Sequence, residues 1–503
     1  MLELHTSLQA AQWLQSRVRG TLQTDSRKVA AGDAFIAWPG AAVDGRRFAQ
    51  TALQQGATAC LVEREGVELY ALSGDGFASY AGLKADSGAI AAAYYGNPSL
   101  ALAVVAVTGT NGKTSTAWWL AQALANLPEG AATPCGVIGT LGVGIPPDVV
   151  STGLTTPDPV LLQQTLRQFA DAGVKVCAIE ASSIGVVEHR LAGVSVRVAV
   201  FTNFTQDHLD YHGSMAAYWD AKRRLFSWPG LRSAVINVDD AQGAMLATEL
   251  AASTTATALD VWTVSCREPA RLQARNVQYA EQGLRFDVVE GDQSAVLHSH
   301  MIGSYNVSNL LGVVATLRSL GVPLAPAVQV CHALRPVPGR MECVGGDQQP
   351  LVAVDYAHTP DALEQALQAL RPLATQRQGT LWCVCGCGGD RDASKRPLMG
   401  AIAAKNADKV VVTSDNPRSE KPESIIAQIL LGLPQSDAVE VQSDRALAIA
   451  QTVYHADAQD VILLAGKGHE ATQEFADSKV VFSDRAHAVS ALRARANPAE
   501  AFV

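Results

Sequence analysis

The sequence predicts an α/β protein of three domains built on mostly parallel sheets. Three observations carry that expectation. A chain of 503 residues is about three domains long. Short continuous apolar runs alternate with polar turns and helically spaced segments, the pattern of parallel strands buried on both faces. Two stretches rich in structure breakers, "YYGNPSL" (Tyr94 to Leu100) and "RPVPGRME" (Arg335 to Glu342), then divide the chain into residues 1–97, 98–336 and 337–503.

Composition narrows the function classes. The chain is 48% hydrophobic and 17% charged, as expected of a globular protein with large cores. Its net charge of -9 and the lack of a long basic run argue against nucleic acid as a partner. The start, "MLELHTSLQAAQWLQSRV", lacks the layout of a signal peptide, and no apolar run approaches the ~20 residues that span a bilayer. The expectation is a cytoplasmic protein without a membrane partner. Cys383, Cys385 and Cys387 in "LWCVCGCGGD" have the wrong spacing for a zinc site, and small thiols along a buried strand explain them better.

In the middle segment "LAVVAV" leads into a glycine loop, "VKVCAIE" into "ASSIG", "VRVAVF" into "TNFTQDHLD" and "SAVINV" into "DDAQG". In the last segment the corresponding units are "LVAVDYAHTP", "LWCVCGCGGDRD", "KVVVTSDNPR" and "VILLAGKGHE". Each polar cluster follows a strand end, where ligands of open α/β sheets bind.

The glycine loop reads "TGTNGKTS", Thr108 to Ser115. It is shorter than a Walker A loop, with only Thr110 and Asn111 between Gly109 and Gly112. Its context is a buried strand followed by a helical pattern. Two glycines there let backbone N–H groups turn toward an anion, and the helix start adds its positive dipole end. Lys113 can reach terminal phosphate oxygens, and Thr114 or Ser115 can ligate Mg2+. Glu180, at the end of "VKVCAIE", and His208, after "VRVAVF", are candidate metal ligands. Taken alone, each reads equally well as a surface residue or a satisfied core residue.

Read in order, "TGTNGKTS", "EASSIGVVEHR", "TNFTQDHLDYHG", "YNVSNLLG", "VPGRME", "VDYAHTPDAL", "CGCGGDRDASKRP", "TSDNPRSE" and "AGKGHE" resemble the motifs of the Mur ligases and the related folylpolyglutamate synthases. The N-terminal "TDSRKVAAGDAFIAWPGAAVDGRRF" resembles that family's nucleotide-sugar domain. The resemblance covers nearly the whole chain. It implies a small N-terminal α/β UDP-binding domain, a central P-loop-type ATPase domain with a mostly parallel sheet, and a C-terminal Rossmann-like domain that brings the amino acid. The implied activity is an ATP-dependent amide ligase of peptidoglycan synthesis, serving cell-wall biogenesis, cell shape and division. Among its members the resemblance favours addition of meso-2,6-diaminopimelate to UDP-N-acetylmuramoyl-L-Ala-D-Glu through an acyl phosphate, by a monomer.

The same resemblance implies residue roles. Gly109, Thr110, Asn111, Gly112, Lys113, Thr114 and Ser115 would hold the ATP phosphates, Asn306 and Asn309 its adenine side, and Arg340, Asp355 and His358 its ribose and phosphate side. Helix capping is the plainer reading of Asn306 and Asn309. Ser26 and the Asp44-Gly45-Arg46 turn would lie near the uridine, with Thr155, Thr156, Ser182, Glu188 and Arg190 at the muramoyl dipeptide. Relatives often carry His at Ile184 and Gln at Glu188; a carboxylate at Glu188 needs Arg190 or a metal to offset it. Two Mg2+ ions are implied on Thr114, Glu180, His208 and a CO2-derived carbamate of Lys222. A carbamate requires a neutral amine, so burial must depress the Lys222 pKa.

Diaminopimelate differs from lysine by one carboxylate, which favours a bidentate guanidinium. The implied set is Arg391, Asp415, Asn416, Pro417, Arg418, Gly466 and Glu470. "DNPR" is also a plain turn sequence, and the turn and the site are compatible. The rivals are a lysine-adding Mur ligase, a folylpolyglutamate synthase, and a regulatory protein that hydrolyses ATP as a switch. "DNPR" argues against the first and the N-terminal "DSR…GD…DGR" pattern against the second.

Overall fold

The computed structural model describes residues 1–40, 43–128, 130–252, 259–280 and 283–496. Three main sheets follow one another along the chain, with five, eleven and six strands.

The first sheet is parallel throughout and orders its strands Leu2–Leu4, Phe77–Tyr80, Ala59–Glu63, Ala34–Ala37 and Leu22–Gln23. Helices Ser7–Gln15 and Leu83–Tyr94 pack together and help bury it.

The central sheet places Ala103–Thr108 between Val176–Glu180 and Val198–Phe201, in parallel register. Cys135–Gly139, Ser233–Asn237 and Asp260–Ser265 extend it on either side, also parallel. These strands read as continuous apolar runs because helices cover both faces. Lys113–Ala125 and Tyr305–Ser319 share one core with Val105 and Val107. Pro159–Asp171 lies against the opposite face with Val104 and Ala106. At one edge Leu272–Ala280, Gly283–Glu290 and Gln293–Ser299 form an antiparallel meander that the strand-helix pattern does not anticipate. It alternates inward Leu284, Phe286 and Val288 with more exposed residues, a period of two.

The third sheet runs Glu342–Gly345, Leu351–Asp355, Val461–Ala465, Leu381–Cys385, Lys409–Val412 and Val439–Val441. Only its first pair is antiparallel. Cys383 and Cys385 are buried on their strand and Cys387 in the loop beyond it. Among the described residues no helix is long and apolar enough to cross a membrane.

Candidate active site

The phosphate loop joins the central strand Ala103–Thr108 to the helix Lys113–Ala125. Two glycines are demanded by the backbone here. Gly109 has φ +146°, and a Cβ on it would lie 1.9 Å from the Thr202 hydroxyl. Gly112 has φ +84°, and a Cβ there would lie 2.4 Å from the Asn309 amide oxygen. The loop is pinned from the next strand end: the Thr110 N–H donates to the Asn203 carbonyl, and the Asn111 N–H to the Asn203 side chain at 2.9 Å. The Thr202 hydroxyl donates to the Asn111 carbonyl at 2.6 Å.

Two lysines converge on this loop. Lys113 Nζ donates to the carbonyls of Gly109 at 2.9 Å and Thr110 at 2.8 Å. Lys222, on the helix Met215–Arg223, donates to the same Gly109 carbonyl at 2.7 Å. Lys222 is 1% exposed and lies 4.4 Å from the centre of the Tyr218 ring. Burial drives its amine well below the usual lysine value, and the neighbouring Lys113 charge pushes the same way. Burial lowers the Lys113 amine as well, and two ammonium groups on one buried carbonyl repel each other, so the pair disfavours both being charged.

Glu180 ends the adjacent strand and is 1% exposed. Its carboxylate accepts from the Thr114 hydroxyl at 2.9 Å, the Thr140 N–H at 2.8 Å and the Thr140 hydroxyl at 3.1 Å. The Thr140 hydroxyl also lies 3.0 Å from that of Thr155. His208 stands at φ +53° beside Asp207, with 3.4 Å between imidazole and carboxylate, and burial lowers its pKa. Thr114, Glu180 and His208 line one cavity, and their hard oxygens and imidazole are donor types that suit a divalent cation, although among the described residues no three His, Cys, Asp or Glu side chains converge as a metal site.

The third sheet closes the other side. Arg340 donates to the Thr114 hydroxyl at 3.2 Å and stacks 4.4 Å from the centre of the Tyr356 ring. Asp355 accepts from the Met341 N–H at 2.7 Å, and burial pushes its carboxyl up to about 6. His358 is pushed down to about 4 by burial. Asp361, in the first turn of the helix Pro360–Arg377, accepts from the Asn111 amide at 3.0 Å and so ties the loop to the third sheet.

These residues surround a cavity of about 520 Å³. Of the residues expected from the sequence, it gathers Thr110 to Ser115, Thr155, Glu180, Ser182, His208, Lys222, Asn306, Asn309, Arg340, Asp355 and His358. The capping reading of the two asparagines fails. Ser304 flanks the helix start, and both Asn306 and Asn309 lie inside the helix Tyr305–Ser319. Asn306 donates back to the Ile302 carbonyl at 2.7 Å and accepts from Asn309 at 3.0 Å, which holds their amides at the cavity wall.

Other expected residues lie outside this cavity. Thr156 is buried, donates to the Glu180 carbonyl and accepts from the Ser182 N–H. Arg190 donates to the Thr156 carbonyl at 3.0 Å, and its charge helps to stabilise the Glu188 carboxylate as expected, without a direct bond. Glu188 is instead held by Lys84 of the first sheet's flanking helix at 2.6 Å and by the Tyr211 hydroxyl at 2.6 Å. These partners hold its carboxyl below the usual range. Asp44 and Arg46 engage each other at 2.6 Å, and Arg46 also donates to the Glu65 carbonyl; Gly45 lies between them and Ser26 in a separate short turn.

The expected amino-acid residues form a second cluster at strand ends of the third sheet. Asn416 donates to Glu470 at 2.7 Å, and the fully buried Lys467 donates to both at 2.9 Å. Arg418, at φ +52°, donates to the Gly389 carbonyl at 2.8 Å and pairs with Glu474 at 3.3 Å. Asp415 is buried and accepts from the Asn416 N–H. Gly466 packs against Asp415, Pro417 packs on Gly389, and Arg391 is exposed. Sequence reasoning passed over Asn203, Asp207, Asp361 and Lys467, although all four lie inside motifs it singled out. Thr140 carried no signal beyond its place at a strand end.

A glycine loop on a central parallel strand, a carboxylate on the neighbouring strand and a third sheet closing over both define a nucleotide-dependent enzyme of two facing α/β units. The chain belongs to the Mur ligase family: it matches the Mur ligase catalytic domain at residues 21–93, the Mur ligase middle domain at 107–317 and the glutamate ligase domain at 339–468. It is 60% identical, over 98% of both chains, to the UDP-N-acetylmuramoyl-L-alanyl-D-glutamate–2,6-diaminopimelate ligase of Acidovorax sp. (strain JS42). The ligase of the same name from Pseudomonas aeruginosa is 45% identical over 94% of this chain and 95% of its own. A solved structure of a ligase so named superposes with a TM-score of 0.65 at 35% identity, covering 95% of each chain. MurF ligase from Thermotoga maritima, solved with ADP, shares the fold at 18% identity and a TM-score of 0.66, covering 97% of this chain and 99% of its own.

Proposed function

We propose that this protein is the ATP-dependent ligase that adds meso-2,6-diaminopimelate to UDP-N-acetylmuramoyl-L-Ala-D-Glu, releasing ADP and phosphate in cytoplasmic peptidoglycan synthesis. The observation that carries the reading is 60% identity across 98% of the chain to a ligase of that name. The residue roles rest on the geometry above. Residues 1–97 bind the UDP end, 98–336 the ATP and the muramoyl dipeptide, and 337–503 the amino acid, each range holding one main sheet.

A carboxylate does not react with an amine at neutral pH, because oxide is too poor a leaving group. Transfer of the γ-phosphoryl group of ATP to the substrate carboxylate gives an acyl phosphate. The amine attacks it, a tetrahedral intermediate forms, and phosphate leaves. The backbone N–H groups at the helix start after Asn111, together with Lys113, hold the phosphates, since the N–H groups of Thr110 and Asn111 serve Asn203. Arg340 offsets charge from the facing wall. Asn306 and Asn309 offer amides to the adenine. Such a site works by positioning, which two facing walls provide.

Magnesium fits this site, held by Thr114, Glu180 and His208 and by Lys222 as its carbamate. When bound it neutralises phosphoryl charge. The depressed Lys222 pKa supports carbamate formation, since only the neutral amine adds CO2. Thr155, Thr156, Ser182 and Arg190 shape the muramoyl dipeptide side, and Ser26 with the Asp44 turn the uridine side.

The direct test is phosphate release with ATP, Mg2+ and UDP-N-acetylmuramoyl-L-Ala-D-Glu, comparing meso-diaminopimelate, L-lysine and no amino acid. Release only with diaminopimelate, with a tripeptide product by mass, is expected. Equal release with lysine would overturn the amino-acid assignment, and release without any amino acid would favour an ATP switch.

The ion pair between Lys84 and Glu188 yields a second prediction. Removing Lys84 leaves Glu188 without its ion-pair partner, held only by the Tyr211 hydroxyl, near an anionic substrate. The pair is partly exposed, so Lys84→Ala is expected to raise KM for the UDP-dipeptide only about two- to fivefold. Adding Glu188→Gln should restore it; a double variant no better than Lys84→Ala would refute the offset.

A further inference from the structure

The two loops of the amino-acid cluster leave strands that are not neighbours. Lys409–Val412 leads to Asp415, Asn416 and Arg418, whereas Val461–Ala465 leads to Gly466, Lys467 and Glu470. Leu381–Cys385 lies between them in the sheet. No strand ladder therefore sets the spacing of the two loop origins directly.

Arg445 spans that gap. It opens the helix Arg445–His455, and its side chain is fully buried. One guanidinium nitrogen donates to the Ser414 carbonyl at 3.3 Å, immediately before Asp415. Another donates to the Ala465 carbonyl at 2.9 Å, immediately before Gly466. Asp484 holds the guanidinium from behind through two bonds of 2.7 Å, and it too is fully buried. Gln473 adds a neighbouring tie, donating to the Ser414 hydroxyl and the Asp415 carbonyl.

We propose that the buried Arg445–Asp484 pair is a positioning device for the amino-acid substrate: beneath the direct Asn416–Glu470 and Lys467–Asn416 bonds, it fixes where the two loops leave the sheet, at Ser414 and Ala465. The inference rests on the amino-acid site assigned above. Arg445 does not touch substrate; it acts through the two carbonyls. A buried ion pair is a poor source of stability, since apolar replacements of similar volume usually serve as well. A planar fork with five N–H donors is what bridging two carbonyls and a carboxylate requires, and lysine lacks that geometry.

The test uses the full-length protein and three KM values, for amino acid, ATP and UDP-dipeptide. In the apolar double variant Arg445→Met with Asp484→Leu, the amino-acid KM should rise at least tenfold while the other two stay within twofold. Arg445→Lys should fall between this variant and the wild type. An amino-acid KM within twofold of the wild type, or a parallel rise of all three, would overturn the proposal and leave the pair a structural element only. If the double variant fails to fold, Arg445→Lys decides by the same comparison of KM values. The wild-type assay separates the two readings. Turnover driven by a different amino acid overturns the diaminopimelate assignment alone, and the device is then judged on that amino acid's KM. Turnover that needs no amino acid overturns both.

Discussion

Replacement of Lys222 by alanine is expected to lower kcat by about 10²–10³-fold, the scale of removing one preorganised electrostatic group. The amine is buried against Gly109 and surrounded by Tyr218 and the Lys113 charge. Burial and the Lys113 charge both disfavour its ammonium form there. As a carbamate it supplies an anion beside the phosphate loop. Acetate added to Lys222→Ala should therefore recover part of the rate, while the same salt should not help a Lys113→Ala enzyme. The wild type should show a carbamate carbon signal by NMR after equilibration with labelled bicarbonate. The sign with pH follows from the amine: lowering pH protonates it and releases CO2, so turnover should fall on the acid side and rise again with added bicarbonate. A Lys222→Ala enzyme with kcat within twofold of the wild type would remove the carbamate from the mechanism.

Arg418→Ala is expected to raise the diaminopimelate KM about 10- to 100-fold, as for loss of charge-assisted hydrogen bonds, and to abolish the preference over lysine. In the structure two of the five guanidinium N–H donors already serve Gly389 and Glu474. The remaining donors are available to a carboxylate. The left-handed backbone at Arg418 aims the side chain from the turn, and its N–H is anchored on the Glu474 carbonyl at 3.0 Å. An Arg418→Ala enzyme that still discriminated diaminopimelate from lysine would move selectivity elsewhere, with Arg391 the next residue to test.

Much of this site was legible because strand ends carry its polar residues. The loop glycines, Lys113 and Glu180 announce themselves by chemistry and context, and each lines the cavity or its loop. Lys222 does not. Its own neighbours, Arg223 and Arg224, give no sign of burial; the expectation of a buried amine comes from the family resemblance, and the fold bears it out. For Glu188 the sequence offers Arg190 or a metal as the offset; Arg190 contributes, but the direct ion-pair partner is Lys84, more than a hundred residues earlier, which no local pattern connects to it. Arg445 and Asp484 were silent for the same reason: each begins an ordinary helix, and their meeting is purely tertiary. The antiparallel meander at residues 272–299 was missed because alternation of period two is weaker than the continuous apolar strands beside it.

The walls of the cavity belong to two units, joined across it by Asn111 to Asp361 and Arg340 to Thr114. A compound gripping one wall leaves whenever its own contacts fail. A compound gripping both acts as a staple, and its escape requires both sets of contacts to fail together. For such inhibitors, occupancy time would grow with the number of walls engaged, and potency would be improved by reach as well as by affinity.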